Sequence, residues 1–138
     1  MYRKFTALAI GIILLSACKK NLQNNACGTQ VCTALFATVM VHFADNQGDP
    51  IAVSNFEVFD LSTNKQIQPG LANYDLVKGA YIIANDNELK DLSTDGDNIR
   101  VTGTNPATGQ TKTAIFKVAG GCNCHVTKIS GPDTIQFD

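Results

Sequence analysis

Ala34-Leu35-Phe36-Ala37-Thr38-Val39-Met40-Val41-His42-Phe43 alternates without a break. Leu35, Ala37, Val39, Val41 and Phe43 fall on one parity, and Phe36, Thr38, Met40 and His42 on the other. Successive side chains of an extended chain project to opposite faces, so the spacing predicts a half-buried β-strand over 34–43. Working outward, Asp45-Asn46-Gln47-Gly48-Asp49-Pro50 is a turn, and a second strand is expected over 55–61 before the turn-rich Ser62 to Lys65. Pro69-Gly70 breaks the segment Gln66 to Lys78, which reads as a loop with short strand pieces. Gly79 to Ala84 is compact, apolar and β-favouring, hence a third strand. Asn85-Asp86-Asn87-Glu88 has the form of a capping box before Leu89 and Leu92, predicting one short helical turn near 87–92. Further strands are expected over 99–103, 111–118, 124–129 and 134–137, separated by Asp95 to Asn98, Asn105 to Gln110, Gly120-Gly121 and Gly131-Pro132. Six to eight strands with turn signals every eight to twelve residues make an all-β, antiparallel sandwich.

The N-terminus has a different character. Arg3-Lys4 leads into the apolar run Phe5 to Leu15, the layout of a secretory signal and too short to span a bilayer as a helix. It ends in Leu15-Ser16-Ala17-Cys18, which resembles the lipobox of bacterial lipoproteins. That resemblance implies cleavage before Cys18, a diacylglyceryl thioether on its sulfur and acylation of the new amino group. Acyl chains contribute about 0.8 kcal/mol per buried methylene, so three of them would hold the chain firmly to a membrane. Lys19-Lys20 comes next with no aspartate, which in enteric-type sorting favours the outer membrane; the sequence does not choose between the periplasmic and the surface face. The expected organisation is a signal peptide over 1–17, a polar tether over 18–25 and a single domain over 26–138.

Removal of 1–17 leaves 121 of the 138 residues, with 9 basic against 12 acidic side chains and a net charge of −3. No basic patch is present to hold a phosphate backbone, which argues against nucleic acid as a partner. The chain has no Trp. The core must therefore come mostly from Val, Ile, Leu and Phe.

Chemistry, if there is any, lies in Gly120-Gly121-Cys122-Asn123-Cys124-His125-Val126 and in Cys27 and Cys32. With Cys18 set aside, four cysteines in an oxidising compartment favour disulfides. A Cys122–Cys124 bridge is disfavoured, because residues two apart in extended chain point the same way at nearly the limiting separation. Both long-range sets remain open: Cys32–Cys124 with Cys27–Cys122, and the crossed set. Cys32 lies on the opposite parity from Leu35, Val39 and Val41, so a regular strand would point it away from the core. The competing reading is a small envelope redox or metal-handling protein using Cys122, Cys124 and His125 with Cys27 or Cys32. Cys-x-Cys-His is not a usual zinc spacing, and adjacent Cys124 and His125 would project to opposite faces of a strand. His42 reads as a partly exposed strand histidine. The acidic turns Asp45 to Asp49 and Asp95 to Asn98 lack the closing glutamate of a calcium loop, Glu57 and Glu88 being the only glutamates. Neither a nucleophile elbow, a phosphate loop nor a metalloprotease motif is present, so no catalytic residue, metal or cofactor is expected.

Val39-x-Val41, Asp45-x-x-Gly48-x-Pro50, Val58 and Gly79-x-Tyr81 together resemble the carboxypeptidase regulatory-like domain, over about residues 32–137. The resemblance implies a transthyretin-like sandwich with an immunoglobulin-type core and an accessory role, with no catalytic residues to transfer. Where that family has small residues after the turn proline, this chain has Ile51-Ala52-Val53-Ser54. It is also similar to small exported lipoproteins of that kind in which Cys-Thr opens the first strand and Cys-His-Val lies near the end, here Cys32-Thr33 and Cys124-His125-Val126. This similarity implies Cys32–Cys124 with Cys27–Cys122. The function expected is a non-catalytic, lipid-anchored envelope module that offers its loops, Asp45 to Pro50 and Asn105 to Gln110, to a protein or glycan ligand.

Overall fold

The period-two patterning becomes eight strands in a computed structural model that describes residues 27–69 and 77–138. The signal segment 1–17, Cys18, the tether 18–25 and the middle of the 66–78 segment lie outside the described residues. The strands are β1 (Thr38–Ala44), β2 (Ser54–Asp60), β3 (Lys65–Ile67), β4 (Ala80–Asn85), β5 (Asp97–Thr104), β6 (Thr111–Ala119), β7 (Thr127–Ser130) and β8 (Thr134–Gln136). They form two sheets, β4-β1-β8 and β3-β2-β5-β6-β7. The protein is an all-β sandwich, as its turn spacing predicts. All neighbouring strands run antiparallel except β1 and β8, which are parallel with Phe43 opposite Ile135.

Alternation decides what is buried. Val39, Val41 and Phe43 of β1 point inward, and so do Ile99, Val101 and Gly103 of β5 and Phe116 and Val118 of β6. Phe43 is the centre of the core. Its ring meets Phe56 and Tyr81 edge-on, with centroids 6.2 and 5.5 Å away, and lies near-parallel to Phe137 at 6.0 Å. Gly103 faces it from the opposite sheet, and a Cβ there would come within 2.8 Å of the Phe43 ring. The missing side chain lets the ring fill the space between the sheets.

Three strand starts differ from the alternation, each for a local reason. β1 begins at Thr38, four residues later than expected, and Leu35 and Phe36 are left 75% and 56% exposed. The partner strand explains this: Thr38 pairs with Asn85, the last residue of β4, and beyond it Ala37 is bonded only to the turn residue Asp86, whose amide donates to the Ala37 carbonyl at 3.2 Å. β2 begins with a bulge between Ser54 and Glu57, where Asn55 takes a positive φ of 50°. The preceding Ile51 to Val53 does not join the sheet; the Val53 amide donates to the Tyr81 hydroxyl at 2.7 Å, and that hydroxyl donates back to the Val53 carbonyl at 3.3 Å. β7 begins at Thr127 rather than 124, because His125 and Val126 are engaged elsewhere. β3 is a short strand at the start of the segment read as loop with strand pieces.

The expected helical turn takes the form of consecutive turns, and no helix forms among the described residues. The Asn85 amide donates to Glu88 Oε2 at 2.8 Å and the Asn87 amide to Asn85 Oδ1 at 2.9 Å, so the capping box is made. Behind it the amides of Glu88, Leu89 and Asp91 donate to the carbonyls of Asn85, Asp86 and Glu88, each three residues back rather than four. A box without an amphipathic run behind it closes a turn and stops.

Phe43→Ala would remove the ring that three aromatic neighbours and Gly103 are arranged around. We expect a loss of about 3–5 kcal/mol, read from a denaturant midpoint at unchanged m-value.

Candidate functional site

Residues 27–37 run across the surface as an irregular strap, and the most constrained part of the molecule holds it down. Cys27 is bonded to Cys122 with α-carbons 5.1 Å apart, and Cys32 to Cys124 with α-carbons 5.3 Å apart. This is the pairing that the lipoprotein similarity implies. The mismatch of Cys32 parity disappears, because β1 has not begun at that point and the bridge sits at the surface. Each of the two late cysteines is joined to the other end of the domain, so Cys122 and Cys124 retain no thiol for zinc or for Cys-x-Cys redox chemistry in this state.

The two bridges are not equivalent to two independent staples. With residues 27–32 and 122–124 they enclose a covalent ring of nine residues. Either bridge alone closes a loop of more than ninety residues, for which the chain-entropy relation gives about 4.7 kcal/mol. Once one exists, the other closes only the small ring, contributing about 2.6 kcal/mol.

Asp86 fixes the same strap by hydrogen bonds. Its Oδ2 accepts the Ala37 amide at 2.9 Å and lies 2.7 Å from His125 Nδ1, while Oδ1 accepts the Val126 amide at 2.9 Å. On the other side of the imidazole, His125 Nε2 is 2.8 Å from Thr33 Oγ1. An ionised Asp86 only accepts, so Nδ1 carries a proton and donates; neutral His125 then accepts the Thr33 hydroxyl proton at Nε2. A fully protonated imidazole would instead donate to Thr33, and the connection survives either way. The Thr33 and His125 of the Cys-Thr and Cys-His-Val pairs thus meet directly. The order hydroxyl, imidazole, carboxylate is also that of a hydrolytic triad. Here its carboxylate is simultaneously occupied by two backbone amides.

The Asp86 side chain is 14% exposed. Burial pushes its carboxyl up, but the Ala37 and Val126 amides and the His125 imidazole together hold it below the ordinary carboxylate value. Such a group stabilises the fold fully above its unfolded value and loses that contribution as pH falls through the depressed folded value.

The predicted contact loops lie at the other end of the sandwich. The Asp45 carboxylate caps its own turn, accepting the Gln47 and Asp49 amides at 2.9 Å each, and Asn105 Oδ1 accepts the Ala107 amide at 2.9 Å. The C-terminal residues join the two loops: the Phe137 amide donates to the Ala44 carbonyl at 2.9 Å, and the Asp138 amide to Gln110 Oε1 at 3.0 Å. Gln110 and Lys112 both donate to Asp138 Oδ2, at 2.8 and 2.7 Å. Thr38 and Asn85 mark the stapled end of the β1–β4 ladder, Ala44 the loop end of β1. His42 is exposed on the outer face of β1, as its parity predicts. A separate cavity of about 280 Å³ is lined by Asp60, Lys65, Ile67, Glu88, Asp91 and Leu92 among others. Burial raises the Glu88 carboxyl there, against the lowering effect of the Asn85 amide, and Asp91 adds to the rise.

No family model, no curated protein and no solved structure matches the chain. Its function must therefore be argued from its own residues.

Replacing either cysteine pair by serines should cost about 2.6 kcal/mol, whereas replacing both pairs should cost about 7 kcal/mol, more than the two single losses added together. Equilibrium unfolding of the three variants reads this directly. Asp86→Asn would set an amide donor against the Ala37 or Val126 N–H, costing about 1.5–3 kcal/mol at neutral pH. The gap from the parent should close as pH falls through the depressed Asp86 value, measured by denaturation at a series of pH values.

Proposed function

We propose that this is a lipid-anchored envelope protein, sorted to the outer membrane, whose disulfide-stapled sandwich offers its distal loops to a protein or glycan ligand without catalysing a reaction. The observation that carries the reading is a separation of ends. Cys27, the first described residue after the lipobox and tether, is tied into the stapled end of the sandwich. The Asp45–Pro50 and Asn105–Gln110 loops lie at the opposite end, where Phe137 and Asp138 bond Ala44, the residue before the first loop, and Gln110 of the second. A chain held by acyl groups on Cys18 would therefore present those loops away from the bilayer. β1 alone, seven residues long, interposes roughly 20 Å.

The other supports are the lipobox-like Leu15 to Cys18 and the resemblance to an accessory sandwich domain. Asp86, His125 and Thr33 serve in this reading as a latch for the strap. Besides meeting the imidazole, the Asp86 carboxylate accepts two amides, those of Ala37 and Val126, immediately before β1 and β7. The loops carry the recognition, being short, polar and each held by its own Asx hydrogen bonds, which keeps them ordered before a ligand arrives.

Labelling with a radioactive fatty acid, then membrane fractionation, tests the anchor. Wild-type chain should carry label and sediment with membranes, while Cys18→Ala should lose the label and leave the membrane fraction. Unlabelled wild-type protein in the soluble fraction would end the proposal.

A further inference from the structure

The strap carries three large apolar side chains that the fold holds out in solvent. Val31 is 99% exposed, Leu35 75% and Phe36 56%, all within six residues. Ordinary collapse would fold such a segment inward. It is prevented here covalently and by hydrogen bonds: Cys27 and Cys32 bracket Val31 with two bridges, and Thr33 and Ala37 are fastened to His125 and Asp86 on either side of Leu35 and Phe36. A fixed, protruding apolar segment is the mark of a surface meant to be covered.

Two facts of the chain say what covers it. Eight residues lie between Cys18 and Cys27, so whatever path they take Cys27, where the strap begins, stays within roughly 30 Å of Cys18. In addition, no Asp, Glu, Lys or Arg occurs between Lys20 and Asp45. Beyond Lys19 and Lys20, the chain through the strap thus contains no formal charge that would have to be stripped of water at a lipid interface, whereas charged residues recur from Asp45 onward. Resting on the lipid-anchor reading, we propose that Val31, Leu35 and Phe36 dock the domain onto the bilayer, so that the acyl chains and the strap together fix its orientation with the loop end outward. The contact is apolar and interfacial; it needs no anionic headgroup, consistent with the net charge of −3 expected for the processed chain.

The absence of tryptophan supplies a clean probe. Phe36→Trp and Val31→Trp place a single indole on the strap, and Ala107→Trp places one in the distal loop. Each full-length, acylated variant is reconstituted into phosphatidylcholine vesicles with brominated acyl chains. Docking predicts loss of most of the emission at 31 and 36 and none at 107. Mass spectrometry of the same preparations separates this idea from the one beneath it. Acylated protein that loses no emission at 31 or 36, or loses it equally at 107, overturns the docking and leaves the anchor standing. Protein without the acyl mass overturns the anchor, and the docking with it. A blue-shifted emission at 36 that bromine does not quench, and that fades on dilution into excess lipid, would name a second copy of the chain as the occupant and overturn the proposal.

Discussion

A carboxylate partly withdrawn from water gains from other donors, and Asp86 finds three. The amide of Ala37 precedes β1, the amide of Val126 precedes β7, and His125 leads on to Thr33 in the strap. One side chain in a turn therefore sets where strands in both sheets begin and where an otherwise irregular segment lies. Neutral hydrogen bonds could hold each contact separately. The shared carboxylate makes them interdependent, because losing any one donor leaves part of a half-buried anion to be satisfied by water.

The covalent ring of Cys27, Cys32, Cys122 and Cys124 acts on the same segment by a different means. Asp86 stabilises the native position of the strap, whereas the bridges restrict the unfolded chain. Their combination leaves the strap with little conformational freedom at its ends and a full display of apolar side chains between them. In the anchored arrangement proposed above, that end would face the bilayer and the loop end would be the one left free to meet a partner.

Strand identity was legible where alternation and pairing agreed. Thr111 to Val118 alternates, lies between two neighbours, and became β6 with Phe116 and Val118 inward. Alternation alone overran at Ala34 to Ala37, since periodicity records which face a residue prefers and not whether a partner strand is there to bond it. The four bridging cysteines were legible as disulfide formers by their even number and spacing, while their own spacing left two pairings open. Asp86 was not. In sequence it is one more turn-forming residue between Asn85 and Asn87, and nothing local distinguishes an aspartate that caps its own turn, as Asp45 does, from one that gathers amides from 40 and 49 residues away. The same limit hid the parallel pairing of β1 with β8, which depends on the path of the whole chain.

That pairing has a bearing on how the molecule comes into being. β8 is made last, yet it is hydrogen-bonded to the first strand, and Phe137 packs on Phe43. Until it arrives, one edge of β1 is open and one face of the central ring uncovered, however much of the larger sheet has already formed. Contacts closed over such a distance are slow to nucleate, and an unpaired edge invites the wrong neighbour meanwhile. For a chain made from its N-terminus, the interval between the emergence of Phe43 and of Phe137 is the time in which that edge and that ring face stay exposed.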